Sequence, residues 1–561
     1  MRGKWLAYGA ASIALAGAVA ACGSSSDGSS TATPAKTASG SAAKKDGGTV
    51  TVLMGTAPDF LDPQEGYTTQ SAEATWISYL GLYTYAHANG EPGGKVIPGL
   101  AQDFPTVSSD GKTYTLTLRQ GLNYSDGSPV KASDFAYTIE RALKLNWGGK
   151  SFFTGYIKGA EAYDTDKSHT ISGIKADDNT GKITITLTKP YGAFLNVLSF
   201  PSAGLVPTGT KMSNLSNDPP PGVGPYEIKN VVPNRSFDVV RNPKWTASMV
   251  PGVAPGHVDI SVKIASNTQT EAEQVLNNSA DIFDWADQIP PSLVPQVTSK
   301  AAGRYKQQNT ISTFYFFLNT QEKPFNNQLA REAVNYALDR RAINRLNGGN
   351  FTQTCWFLPE GLIGHPTSAC PYGDPNGAPD LAKAKALVKQ SGMEGQPVTV
   401  WSETRSPRKE FVAYYTDVLN QIGFKAKSKI IADAQYFATI GNLKTNPQTG
   451  FADWNQDFPN PSDFYLLMDA NSIQQTNNEN FSQVNDPHIQ SELKELNAVP
   501  ADKLDSVANR WQQLDQYLAQ KAYIAAYGQE KQPMFFSDRI DFGSAVFSPL
   551  YGNDWSSISL K

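Results

Sequence analysis

The chain has 561 residues, with 48 Lys and Arg against 52 Asp and Glu, so its formal net charge is −4. That length exceeds what one hydrophobic core usually supports, and we expect two or three domains. The slightly acidic balance excludes the extended basic surface that nucleic-acid binding needs, and an apolar content of 40% excludes a globally disordered chain.

The N-terminus has the layout of an export signal that ends in a lipid-attachment site. Arg2 and Lys4 precede an uncharged stretch, residues 5–21, and then Cys22. This stretch resembles a bacterial lipobox, so we predict a signal peptide at 1–21 and a lipid anchor at Cys22. The alternative is an uncleaved membrane helix, for which the apolar run is short. Residues 22–48, rich in Ser, Gly, Ala and Thr, should form a flexible tether.

Two further cysteines, Cys355 and Cys370, lie in a segment rich in Pro and Gly. Export places them in an oxidising compartment, where a disulfide is the favoured interpretation. The alternative is a pair of buried free thiols.

The folded part shows alternating strand patterns and amphipathic helices. In the first half we predict strands at 49–53, 182–188 and 258–264, a hairpin at 105–119 that turns at Asp110 and Gly111, a helix capped by Ser133 that runs through Leu143, and a helix at 268–278. In the second half we predict strands at 314–318, 398–401 and 426–431 and helices at 327–346, 381–390, 410–422 and 504–521. The strand, helix and strand between 398 and 431 form a β-α-β unit, so the class is α/β with parallel sheet.

Several stretches then resemble one family. The sequences at 97–104 (IPGLAQDF), 109–119 (SDGKTYTLTLR), 126–130 (DGSPV) and 134–137 (DFAY) are similar to a signature of family 5 extracellular solute-binding proteins, the peptide and nickel receptors of ABC importers. Similar matches follow at 222–226 (GVGPY) with 241–245 (RNPKW), at Asn319 with 324–326 (PFN) and 331–340 (REAVNYALDR), and at 454–461 (WNQDFPNP). The resemblance keeps the order of the family and covers roughly residues 49–555.

The resemblance implies a two-lobed fold of the periplasmic-binding-protein type, with an additional domain in the first lobe. Lobe I would combine residues 49–83, 200–311 and 527–561, the extra domain would be 84–199, and lobe II would be 312–526. Two crossings, near 311 and 526, would act as a hinge about which the lobes close over a ligand.

Asp457 is the strongest candidate for ligand binding. It lies between Trp454 and Phe458, and a carboxylate in such an apolar surround binds an ammonium group strongly once water is expelled. In peptide-binding members of the family, the Asp at this position pairs with the α-ammonium of the peptide. The alternative is an Asp that caps a turn. Trp454 would offer an apolar wall or simply pack in the core, and Asn455 would lend main-chain groups to an extended ligand.

The other end of the ligand has two candidate partners. Arg405 follows Trp401 at a place similar to that of an arginine which clamps the peptide carboxylate in dipeptide-binding members, and a guanidinium fork suits that task. Arg408 is an equal competitor, and an ordinary surface arginine is a further interpretation. A second family arginine, three residues before Trp454, is replaced by Phe451.

The resemblance also suggests aromatic and loop contacts. Tyr315 matches a tyrosine that faces the cleft, and Tyr436 matches an aromatic residue that lines a side-chain pocket. Glu65 and Tyr67 match a loop that lends backbone groups to the ligand, and each of the four could equally be structural. Trp401 and Trp454 could also stack on sugar rings. We expect no metal site, because the five histidines are dispersed and no acidic run reproduces a calcium loop. We expect no cofactor.

The sequence therefore predicts a monomeric, lipid-anchored receptor at the extracytoplasmic face of the membrane. It would bind short peptides or peptide-like amines without chemical change and deliver them to an ABC permease. One alternative is an oligosaccharide receptor. Another is a surface hydrolase with paired carboxylates, although compact enzyme motifs such as HExxH and GxSxG are absent. A third is a sensor of signal peptides that uses the same binding chemistry.

Overall fold

The computed structural model describes residues 46–265 and 267–561. The predicted signal peptide at 1–21, the anchor at Cys22 and most of the tether at 22–48 lie outside these residues. Within the described ranges, no helix combines the length and hydrophobicity that a membrane crossing requires.

The described chain alternates between strands and helices throughout its length. The strands, β1 to β20 in chain order, are Thr49–Met54, Tyr83–Tyr85, Val96–Pro98, Thr106–Val107, Thr113–Thr117, Ile174–Asp177, Lys182–Thr186, Tyr226–Val232, Ser236–Arg241, Asp259–Ile264, Ile282–Phe283, Tyr305–Asn309, Ser312–Leu318, Phe351–Gln353, Pro397–Glu403, Lys425–Ile431, Thr449–Asn455, Ile524–Phe535, Val546–Ser548 and Gly552–Asp554. The helices, α1 to α15, are Thr69–Thr75, Ser133–Lys144, Ser151–Thr154, Ala160–Asp164, Phe194–Val197, Thr268–Leu276, Val294–Lys300, Gln328–Ala337, Arg340–Leu346, Leu381–Ser391, Arg408–Gln421, Tyr436–Ile440, Pro461–Phe464, Pro487–Leu496 and Ala508–Lys521.

A five-stranded sheet has the order β11-β1-β10-β9-β8. The first strand, β1, pairs in parallel with both β10 and β11, while β8 and β9 form an antiparallel hairpin. Val50, Val52 and Met54 are fully buried. Every second residue of β1 therefore faces the core, which explains the alternation of apolar residues in its sequence.

A seven-stranded sheet has the order β12-β18-β13-β17-β15-β16, and β14 adds to β18. Strands β15 and β16 pair in parallel across helix α11, which is the β-α-β unit that the sequence predicts. The central strand β13 is buried along its whole length, because β17 and β18 flank it and both faces of the sheet are covered.

A four-stranded antiparallel sheet, β4-β5-β7-β6, lies within the range predicted for the extra domain. The predicted hairpin is its β4–β5 pair. The division of the chain into lobes at 311 and 526 stays a prediction.

Two local predictions are wrong. The helix predicted at 327–346 is interrupted at Leu338, and Asp339 caps the second piece, α9, by accepting hydrogen bonds from the N–H groups of Arg341 and Ala342. Ser133 does not cap α2 but is its first residue. Its N–H donates to the carboxylate of Asp178 (2.8 Å), which lies in the turn between β6 and β7.

The late helix begins at Ala508 rather than at 504, because residues Ala501–Val507 form a 3-10 segment. Cys355 and Cys370 are joined in a disulfide with Cα atoms 6.2 Å apart, packed beside Trp356 and Ala519.

A buried ion pair holds the loop between β1 and α1 in place. Arg141 of α2 donates through both terminal nitrogens to the carboxylate of Asp62 (2.5 and 2.6 Å), and one of them also reaches Gln64 (2.7 Å). Both charged side chains are 0% exposed. This loop carries Glu65 and Tyr67. The Arg141–Asp62 pair therefore fixes these two candidate site residues relative to α2.

We expect the substitution Arg141→Met to lower the free energy of unfolding by about 3–5 kcal/mol, because it leaves the Asp62 carboxylate buried without its partner. Urea denaturation at pH 7 measures this loss. The matched control is Arg241→Met, whose pair with Asp259 is partly exposed and should be worth about 0–1 kcal/mol. Equal losses in the two variants would contradict the structural role of the buried pair.

Candidate ligand-binding site

A cavity of about 250 Å³ lies where the loop after β1 meets the ends of β15 and β17. This volume is close to the lower end of small-molecule sites. Its aromatic lining comes from several separate segments of the chain: Phe60, Tyr67, Trp147, Phe200, Phe437, Trp454, Phe481 and Tyr551. Of the predicted site residues, the cavity lining includes Glu65, Tyr67, Arg405, Trp454, Asn455 and Asp457.

The turn after β17 is fixed by a buried carboxylate. Asp463 accepts a hydrogen bond from the backbone N–H of Asp457 (2.8 Å) and another from the indole N–H of Trp454 (3.3 Å). Asn460 caps the short helix α13 that follows. Because Asp463 accepts hydrogen bonds from both residues, it fixes the position of Asp457 relative to the indole ring of Trp454.

The Asp457 carboxylate lacks a cationic partner in the structure. The hydroxyl of Tyr67 donates to its Oδ2 (2.8 Å), and among residues 46–265 and 267–561 no basic side chain forms an ion pair with it. Burial raises the pKa of Asp457 to about 7. Tyr67 in turn packs edge-on against Trp147 (ring centroids 5.1 Å apart) and Trp454 (5.9 Å). The site therefore presents an acceptor in an apolar surround, which suits a positively charged donor.

A second carboxylate, Glu479, lines the same cavity and was not found by sequence reasoning. Burial, together with repulsion from Asp457 and Asp59, raises the pKa of Glu479 to about 8. Gly148 packs against both Glu479 and Tyr67. A Cβ at that position would lie 2.7 Å from the ring of Tyr67 and 3.2 Å from Glu479 Oε1. Glu479 sits in a loop of Asn, Gln and Ser residues without periodicity, so no pattern in the sequence singles it out.

The predicted loop residue Glu65 also lies in the lining. Its Oε2 atom is buried without a hydrogen-bond partner among the described residues. Burial and the nearby Asp62 raise the pKa of Glu65 to about 7.

Both candidate carboxylate clamps already pair with acidic side chains. Arg405 donates to Asp287 Oδ1 (2.6 Å) and to the carbonyl oxygen of Ala286. Arg408 donates to Glu403 (2.6 Å) and to Asp453 (2.9 Å), and these contacts tie together β15, α11 and β17. Neither guanidinium is a free fork for a ligand carboxylate.

Three predicted contacts lie outside the cavity lining. The hydroxyl of Tyr436 donates to the carbonyl oxygens of Trp401 (3.1 Å) and Phe451 (2.7 Å), and its neighbour Phe437 faces the cavity instead. Tyr315 is buried in β13. Trp401 is buried in β15, where the ammonium of Lys429 lies 3.9 Å from its ring.

We expect Arg408→Met to lower the free energy of unfolding by about 3–5 kcal/mol, since it strands two buried carboxylates. Arg510→Met is the matched control, because Arg510 also pairs with two acids, Glu492 and Glu495, but at the surface, where such pairs contribute about 0–1 kcal/mol. Guanidinium denaturation of the two variants in parallel checks this. A loss of unfolding free energy as small as that of the control would contradict the structural role of Arg408 and leave it available to bind a ligand carboxylate.

Comparison with known proteins agrees with this fold. Residues 95–476 match the family described as "Bacterial extracellular solute-binding proteins, family 5 Middle". The probable D,D-dipeptide-binding periplasmic protein DdpA of Escherichia coli K12 is 24% identical over 420 residues, which cover 73% of this chain and 75% of that protein. The glutathione-binding protein GsiB of Salmonella paratyphi A is 26% identical over 469 residues, which cover 79% and 85%.

Among solved structures, the clavulanic acid biosynthesis oligopeptide binding protein 2 superposes with a TM-score of 0.79 at 22% sequence identity, covering 92% of this chain and 96% of that one. The predicted two-lobed architecture is thereby confirmed. Proteins of this family bind solutes and are not enzymes, so the hydrolase alternative is not carried further. The chain belongs to the family 5 bacterial extracellular solute-binding proteins of ABC importers.

Proposed function

We propose that the protein captures short peptides with a free amino terminus and delivers them to an ABC importer. The peptide ammonium would pair with Asp457, and the two lobes would close over the cavity. A lipid on Cys22 would hold the receptor at the outer face of the membrane, and the Cys355–Cys370 disulfide would form in that compartment.

The observation that carries this proposal is the state of the Asp457 carboxylate. It is partly buried beside Trp454, receives a hydrogen bond from Tyr67, and has no basic partner among the described residues. A carboxylate in that position loses hydration without gaining a counter-charge. A primary ammonium provides the missing charge and several N–H donors at once.

The names of the relatives support a peptide ligand. One is described as a D,D-dipeptide-binding protein, another as a glutathione-binding protein, and a structural neighbour as an oligopeptide-binding protein. Each of these ligand classes carries a primary amino group. The cavity also contains indole and phenol rings that could stack on sugars, but the unpaired acids have no counterpart in a neutral sugar, so the oligosaccharide alternative remains second.

Contacts between distant parts of the chain support closure as the capture step. Tyr67 and Asp287 belong to segments predicted in lobe I, whereas their partners Asp457 and Arg405 belong to segments predicted in lobe II. Contacts of this kind exist when the lobes are together, and a ligand that adds further contacts across the gap shifts the population toward the closed form.

We expect Asp457→Asn to weaken binding of Ala-Ala-Ala by at least about 30-fold, since breaking a buried charge pair costs about 2–5 kcal/mol. Isothermal titration calorimetry at pH 7 measures the affinity. N-acetylated Ala-Ala-Ala should bind the wild-type protein as weakly as free Ala-Ala-Ala binds the variant. The control variant is Asp417→Asn, at an exposed position of α11.

The same variant should leave the fold intact. The pKa of Asp457 is raised in the folded state, so its stabilising contribution is present below about pH 4 and is lost as the pH rises through about 7. The melting temperature of the empty Asp457→Asn protein at pH 8 should therefore equal or exceed that of the wild type. Unchanged affinity for Ala-Ala-Ala would refute the role of Asp457, and equal affinity for the acetylated peptide would refute recognition of the amino terminus.

The anchor has a separate test. Expressed with its own leader in a bacterial host, the full chain should enter the detergent phase of a Triton X-114 separation, because acylation of Cys22 adds hydrocarbon chains. Cys22→Ala should leave the protein out of that phase. Detergent partition of the Cys22→Ala protein equal to that of the wild type would support the uncleaved membrane helix instead.

A further inference from the structure

The charges that line the cavity do not balance. Among the residues that the structure describes, seven carboxylate side chains line it, against two guanidinium groups and no lysine or histidine. The carboxylates are Asp59, Glu65, Glu403, Asp433, Asp453, Asp457 and Glu479. A ligand that enters this cavity therefore meets a net negative wall.

Most of these charges are already engaged within the protein. Arg408 takes up Glu403 and Asp453, and Arg405 is occupied by Asp287. Asp59 accepts hydrogen bonds from Ser71 and Thr68, and Asp433 accepts one from Thr404. These acids hold the walls together and do not call for a ligand.

Glu479 differs from these engaged acids. Asp457 accepts a hydrogen bond from Tyr67, whereas no donor in the described part of the chain reaches the Glu479 carboxylate. The two acids lie on either side of Tyr67. Its hydroxyl donates to Asp457 (2.8 Å), and a Cβ at Gly148 would lie 2.7 Å from its ring and 3.2 Å from Glu479 Oε1. Once both acids are ionised, they need more than one positive charge to be neutralised, and a single α-ammonium leaves one of them uncompensated.

Other polar groups in the lining also lack hydrogen-bond partners among the described residues. Gln456 is 6% exposed, and its Oε1 atom has no hydrogen-bond partner among the described residues. The side-chain oxygens Asn455 Oδ1 and Glu65 Oε2 are buried in the same condition. All three line the cavity, and all three are acceptors. The same lining also contains a buried donor without a partner among the described residues, Gln70 Nε2, and the hydroxyls of Thr56, Ser202 and Tyr551 are unpaired as well. These groups therefore offer a ligand both acceptors and donors.

We propose that Glu479 makes the protein selective for peptides whose first residue carries a second positive charge, such as lysine, ornithine or arginine. This inference rests on the proposed function, in which Asp457 binds the α-ammonium. In an extended peptide, the side chain of the first residue is the group nearest to that ammonium, so its charged end is the one that can reach a neighbouring carboxylate. The same charge balance disfavours anionic peptides such as glutathione.

The test compares Lys-Ala-Ala with norleucine-Ala-Ala, since norleucine keeps the aliphatic stem of lysine and lacks the ammonium. In calorimetry at pH 7.5 and low salt, the wild-type protein should bind the lysine peptide at least about 10-fold more tightly. Glu479→Gln should bring the two affinities within about twofold of each other. Glu479→Asp, which keeps the charge, should retain a clear preference and covers the case in which the glutamine variant fails to fold.

Glu394→Gln, at an exposed position outside the cavity, is the control and should keep the full preference. Equal affinity of the wild-type protein for the two peptides would overturn the inference while leaving peptide capture intact. A preference that survives in folded Glu479→Gln would also overturn it, because the second charge would then be read elsewhere. If neither peptide binds the wild-type protein, the proposed function fails and this inference falls with it.

Discussion

A partly buried acidic side chain without a counter-ion among the described residues dominates the electrostatics of this site. Burial raises the pKa of Asp457 to about 7 and that of Glu479 to about 8, so the empty cavity holds two groups for which ionisation is costly. Each pKa is raised because the charged form is disfavoured, and a cation reverses that preference. In the proposed function, the affinity of the site would come largely from removing this penalty rather than from adding contacts to groups that are already paired.

Such a penalty persists only where the surrounding structure is rigid. Two other buried acids, Asp62 and Asp463, supply that rigidity, and both are hydrogen-bonded. Asp62 is held by Arg141 and fixes the loop of Tyr67, while Asp463 fixes the turn of Asp457 through a backbone N–H and an indole N–H. The protein therefore uses carboxylates in two ways. Hydrogen-bonded carboxylates fix the cavity walls, and carboxylates without a counter-charge would set which ligands the proposed site prefers.

Asp457 and Trp454 lie in one short motif with proline on its C-terminal side, and both line the cavity. The predictions for Tyr436 and Tyr315 come from the resemblance alone, which matches positions but does not give the direction of a side chain. Neither residue lines the cavity: Phe437 does so in place of Tyr436, and β13, which carries Tyr315, is buried on both faces. Asp287, the partner of Arg405, and Asp457, the acid near Glu479, lie more than 20 residues away along the chain from those residues, at positions that the fold alone brings together.

Charge neutralisation also explains how a loaded receptor could differ from an empty one. In the proposed closure, Asp457 and Glu479 approach the apolar wall of Tyr67 and Trp147, so closing without a ligand seals two like charges in a medium that screens them poorly. A peptide with two positive charges removes that opposition, whereas a neutral solute leaves it in place. The bias toward closure is then set by the difference in ligand affinity between the two forms, and it is largest for the ligand whose charges match the site. In this proposal, the repulsion between Asp457 and Glu479 would determine both which solutes bind and how far each solute shifts the protein toward the closed form.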